Sequence, residues 1–82
     1  YQNYPNPFNP STKINFAITK NTKVTINVFN VLGQNIETLV DKNLSAGLYR
    51  IEWNPVNLSS GIYYYVLKSE NFSDTKKMLY IK

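Results

Sequence analysis

Gly61-Ile62-Tyr63-Tyr64-Tyr65-Val66-Leu67-Lys68 decides the fold. β-branched and aromatic residues run from Ile62 to Val66, and such side chains fill a pleated surface better than a helix. Successive strand side chains point to opposite faces, so Tyr63, Tyr65 and Leu67 share one face and Ile62, Tyr64 and Val66 the other. Both faces are apolar, and both are expected to be covered. The stretch is therefore a central strand in a sheet packed on a second sheet, since an edge position would leave backbone donors open to association.

Working outward, Gly47-Leu48-Tyr49-Arg50-Ile51-Glu52-Trp53 repeats the Gly-x-Tyr opening. It sets Tyr49, Ile51 and Trp53 against Arg50 and Glu52 across the pleat. Asn54 to Ser60 joins the two strands through Pro55 and a run of turn residues. Ile14, Phe16 and Ile18 alternate with Lys13, Asn15 and Ala17, and after the turn Thr19 to Thr22 the alternation resumes with Val24, Ile26 and Val28 inward. Phe29 and Val31 break this pattern, which implies cover on both sides or a bend before the turn Leu32 to Asn35. Asn35 to Val40 is read as a strand despite the helix-like spacing of Ile36, Leu39 and Val40, because it is too short for a stable helix. Asp41-Lys42-Asn43 is read as a loop and Leu44 to Gly47 as a turn. Asn71 to Asp74 is a further turn before a closing strand, Thr75 to Ile81, in which alternation alone does not choose between Met78 with Tyr80 and Leu79 with Ile81.

The 82 residues form a single domain, 1–82. They make about seven short strands with turns roughly every ten residues, the signature of an antiparallel immunoglobulin-like or fibronectin III-like β-sandwich. Trp53 is the expected centre of the core. Tyr63, just after a glycine at the start of a late strand, suits a corner in which a tyrosine hydroxyl bonds back to the main chain. Residues 1–10 hold Pro5, Pro7 and Pro10, which makes them an extended lead-in whose Tyr4 and Phe8 plug onto the sandwich. A proline-rich ligand for an aromatic groove is the alternative.

Composition narrows the chemistry. There is no cysteine and no histidine, hence no disulfide framework, no thiolate metal site, no cysteine nucleophile, and neither the commonest general base nor the commonest metal ligand. A net charge of +4 comes from eight lysines and Arg50 spread along the chain. Nucleic-acid binders gather such charge into a stripe, so no nucleic-acid partner is expected. No apolar run approaches the roughly 18 residues needed to span a bilayer, and membrane insertion is not expected either. The acids Glu37 and Asp41, and Glu70 and Asp74, sit four apart at strand ends and turns, a poor arrangement for paired-carboxylate catalysis. Nor do Asp41, Asp74 and the asparagines have the spacing of a calcium loop, so no metal and no cofactor are expected. Phe29, Tyr64 and Tyr80 are candidates for stacking on sugar rings, with packing on a neighbouring domain as the competing account. Three Asn-x-Ser triplets, at Asn43, Asn57 and Asn71, match an acceptor pattern that matters only in a eukaryotic host.

An ordered set of motifs resembles a known family. Tyr4-Pro5-Asn6-Pro7-Phe8-Asn9-Pro10-Ser11, Val28-Phe29-Asn30-Val31-Leu32-Gly33, Ala46-Gly47-Leu48-Tyr49, Ser60 to Tyr65 and Lys76-Lys77-Met78 are similar to the type A C-terminal sorting domain of the bacterial type IX secretion system. That family is related to the Ig-like domain of flagellar hook-capping proteins. The resemblance implies a non-catalytic β-sandwich carried by an exported protein of the Bacteroidetes, with an N-terminal cargo domain. It implies passage through the periplasm, then release or attachment at the cell surface. The implied partners are the outer-membrane translocon and sortase-like processing proteins. Matched residue by residue, Gly47 and Tyr49 fall on the first Gly-x-Tyr motif, Gly61, Tyr63 and Leu67 on the second, and Lys77 with Lys82 on the terminal basic motif. Tyr4, Pro5, Asn6, Pro7 and Phe8 form the N-terminal motif. In the first Gly-x-Tyr motif, Ser45-Ala46 stands where a proline often precedes the glycine. A different class of function is an accessory sandwich of a secreted glycoside hydrolase or protease, binding carbohydrate through Tyr64. A third is a spacer packed on a catalytic domain through Ile62, Tyr64 and Val66.

Overall fold

The computed structural model describes residues 11–70 and 72–81, and in them the chain is all β. Six strands occur in order: β1 Thr12–Ile18, β2 Thr22–Asn30, β3 Asn35–Leu44, β4 Gly47–Trp53, β5 Gly61–Ser69 and β6 Phe72–Tyr80. They form a two-stranded sheet, β1-β4, and a four-stranded sheet, β3-β2-β5-β6, all pairs antiparallel. The expected sandwich is thus present, with six strands among the described residues. The lead-in segment, including Tyr4, Pro5, Asn6, Pro7 and Phe8, lies outside them, as does Lys82.

One face of each sheet makes the core. β1 contributes Ile14, Phe16 and Ile18, β2 contributes Val24, Ile26 and Val28, and β5 contributes Tyr63, Tyr65 and Leu67, with Trp53 fully enclosed among them. β5 lies between β2 and β6, as its composition requires. Its other face differs from expectation. Ile62 is 38% exposed and Tyr64 and Val66 are only half-buried, because the smaller sheet covers the four-stranded sheet from one side. Antiparallel sheets tolerate one wet face, whereas the apolar run argues for two dry ones.

The closing strand resolves in favour of Met78 and Tyr80, both buried, while Leu79 and Ile81 face solvent. Tyr80 is therefore a core residue and no stacking platform. β6 begins at Phe72, paired with Ser69, so Phe72-Ser73-Asp74 belong to a strand that a tight hairpin returns along β5. Asp41-Lys42-Asn43 are likewise strand, paired with Thr25, Val24 and Lys23. Backbone demand decides there: the first half of β2 needs a hydrogen-bonding neighbour, and polar side chains at the sheet margin do not prevent β3 from supplying it.

The helix-like spacing in β3 has a physical cause. The register shifts twice, between Ile26 and Asn27 and between Val28 and Phe29, so Leu39 and Ile36 are each one residue extra relative to β2. Such bulges reset the alternation and bend the strand. They allow Ile36, Leu39 and Val40 all to pack on the core from a strand.

Candidate functional site

The two Gly-x-Tyr sequences build two equivalent corners, one in each sheet. Gly47 opens β4 with φ +157° and Gly61 opens β5 with φ +155°, a region that L side chains avoid. Two residues on, the Tyr49 hydroxyl donates to the Ser45 carbonyl at 2.6 Å, and the Tyr63 hydroxyl donates to the Ser59 carbonyl at 2.7 Å. Each bond satisfies a loop carbonyl and fixes where the strand begins. The Tyr49 ring stacks on Phe16 at 5.4 Å. Tyr63 meets Trp53 edge-on at 5.9 Å and Tyr80 at 6.4 Å, which ties β4, β5 and β6 through aromatic quadrupoles.

The remaining matched positions lie apart from the corners. Leu67 is buried, opposite Ile26 on β2 and Asp74 on β6. Lys77 lies across from Tyr64 on the outer face of the four-stranded sheet. The described matched residues thus occupy two corners, one core position and one surface position, and they do not converge on a pocket.

The acids are separately engaged. Glu37 Oε1 accepts the Trp53 indole N–H at 2.9 Å, Glu52 accepts the Ser11 hydroxyl at 3.1 Å, and Asp41 pairs with Lys23 at 3.4 Å. Glu70 and Asp74 lie 3.9 and 3.8 Å from Lys20 and Lys76. Among the described residues no three metal-binding side chains group together. A recess of about 250 Å³ beside the β1–β2 turn is lined by Ala17, Ile18, Thr19, Lys20, Thr22, Ser69 and Phe72, with no carboxylate. Among the described residues Tyr65 is perturbed: burial, and secondarily the charge of Asp74, push its phenol up from 10.0 to about 12. This keeps the hydroxyl neutral inside the core.

Of the surface aromatics, Phe29 and Tyr64 stand directly opposite each other across β2 and β5, both half-buried. Sequence reasoning missed the corner at Tyr49, although the Gly-x-Tyr spacing shared by Gly47–Tyr49 and Gly61–Tyr63 signals it. It also missed Glu37 as the indole acceptor, for which the sequence carries no local signal.

A family model described as a secretion system C-terminal sorting domain matches residues 2–82. No curated protein and no solved structure matches the chain.

Proposed function

The chain belongs to the secretion system C-terminal sorting domain family, and we propose that it acts as a non-catalytic address label on an exported cargo. In this reading the type IX translocon recognises the folded sandwich in the periplasm, carries the cargo across the outer membrane, and hands it to processing proteins at the cell surface. The observation that carries it is the match over 2–82, nearly the whole chain. Among the described residues the acids are tied into separate bonds, which supports a role without paired-carboxylate catalysis.

We place part of the recognition on β6 and the basic residues Lys77 and Lys82. An extended segment and fixed charge together are readable by a receptor whatever cargo precedes them. Deleting Lys77 to Lys82 from a cargo fusion is expected to abolish export. That deletion also removes Met78 and Tyr80 from the core. A second variant, Lys77→Glu with Lys82→Glu, therefore separates recognition from folding. Secretion of the charge-reversed fusion at the normal level would refute the role given to these lysines. A second reading, packing on a neighbouring domain, draws on the incomplete cover over Ile62, Tyr64 and Val66. An unchanged melting temperature of the parent protein without this domain would eliminate it.

A further inference from the structure

The turn from β2 to β3 is tied more densely than its length requires. Asn30 N–H donates to the Gln34 carbonyl at 3.1 Å and Gly33 N–H to the Asn30 carbonyl at 3.0 Å. The Asn30 side chain adds three bonds, its Oδ1 accepting from Leu32 N–H at 2.9 Å and Gln34 N–H at 3.1 Å, its Nδ2 donating to Gln34 Oε1 at 2.7 Å. What this cage presents is apolar: Val31 is 65% exposed and Leu32 79%. Neither residue supports the core, and an exposed two-residue aliphatic tip gains nothing from water.

The register places the tip beside other exposed apolar groups. Asn30 pairs with Tyr63, which pairs with Met78, so Val31 and Leu32 leave the sheet at the end where β5 begins and β6 finishes. Ile62 and Leu79 form a cross-strand pair at that end, 38% and 42% exposed, with Lys77 two residues before Leu79 on the same face. Asp41, an acid described on that face, is near the opposite end and pairs with Lys23.

We propose that the 30–34 turn is a preformed docking knob whose Val31 and Leu32 enter an apolar pocket, rimmed by carboxylates, on a protein of the secretion machinery. Rigidity selects this occupant. A fixed shape lowers the ordering cost of entering a matching pocket, whereas a fluid bilayer gives no advantage to shape. Charge selects it too, since a second copy would bring one Lys77 ammonium against another, while an acidic rim complements it. The identity of the partner rests on the sorting function proposed above.

The test uses a reporter fused ahead of the full chain in a bacterium with a type IX system, scored as secreted fraction. Four forms are compared with the parent fusion: no domain, Val31→Ser with Leu32→Ser, Asn30→Ala, and Leu48→Ser. The last is the control, because Leu48 is 82% exposed and sits on the other sheet near the opposite end. The double serine variant is expected to lower export at least tenfold. Asn30→Ala, which loosens the turn but keeps its apolar tip, should lower it severalfold, and Leu48→Ser should leave it unchanged. The melting temperature of the double variant should stay within a few degrees of the parent. Parent-level export by the double variant, with the domain-free fusion retained, overturns the knob and leaves the sorting role standing. Equal export with and without the domain overturns the sorting role and the knob's partner with it. Binding of the purified domain to phosphatidylglycerol-containing vesicles that the double variant loses assigns the tip to lipid and overturns the protein partner.

Discussion

At the scale of single residues, the two corner tyrosines do the same job in different surroundings. The Tyr63 bond is partly buried and the Tyr49 bond exposed, so water can replace the second more readily than the first. Tyr63→Phe should cost about 1 kcal/mol. For a domain this small that is a drop of about 4–8 °C in melting temperature. Tyr49→Phe should cost about half as much, and thermal denaturation followed by circular dichroism measures both. Tyr65 ties part of the fold's stability to alkaline pH. The unfolded chain ionises this phenol near its ordinary value of 10.0, the folded chain only at about 12. The stability tied to the neutral hydroxyl is therefore complete below pH 10 and is lost as the pH climbs through 12. Urea titrations from pH 9 to 12 should show a shallower decline for Tyr65→Phe than for the parent, and parallel declines would refute the assignment. Tyr63 in its corner and Trp53 at the centre were legible in the sequence, because a glycine before an aromatic strand and a lone indole each have few places to go. The Glu37 acceptor was not, since it lies 16 residues from Trp53 and meets it only when β3 and β4 fall in opposite sheets.

At the scale of elements, strands that alternate cleanly were legible and strands that do not were misread at their ends. β1 and the first part of β2 follow alternation without exception. β3 hides behind two bulges, and its second half carries Asp41, Lys42 and Asn43, whose side chains speak for a loop while their backbone pairs with β2. Turn residues at Ser73 and Asp74 misled in the same way, because their backbones pair with Lys68 and Leu67. This ranking has a measurable consequence. β2 and β5 each have a hydrogen-bonded neighbour on both sides, whereas β3 pairs with β2 alone among the described residues. Amide exchange should be slowest in β2 and β5 and at least tenfold faster in β3, as local opening starts from strands with fewer partners. Protection in β3 equal to that in β5 would contradict this order.

At the scale of the whole molecule, the chain reads as a sandwich because its apolar residues supply one buried face for each of two sheets. The exposed outer side of β5 was not legible, because Ile62, Tyr64 and Val66 are as apolar as their buried neighbours and composition does not say how wide the covering layer is. The positions matched to the family motifs stand out along the chain, but the scattering of the described ones over two corners, a core position and a surface was not legible, since spacing along the chain says little about convergence in space. The corners carry one further consequence, because the acceptors at Ser45 and Ser59 are main-chain oxygens. Any amino acid brings that oxygen, so the loops ahead of β4 and β5 are free to drift in sequence while the stitch holds. A module fastened in this manner can accumulate substitutions in its connecting segments and keep the same outline.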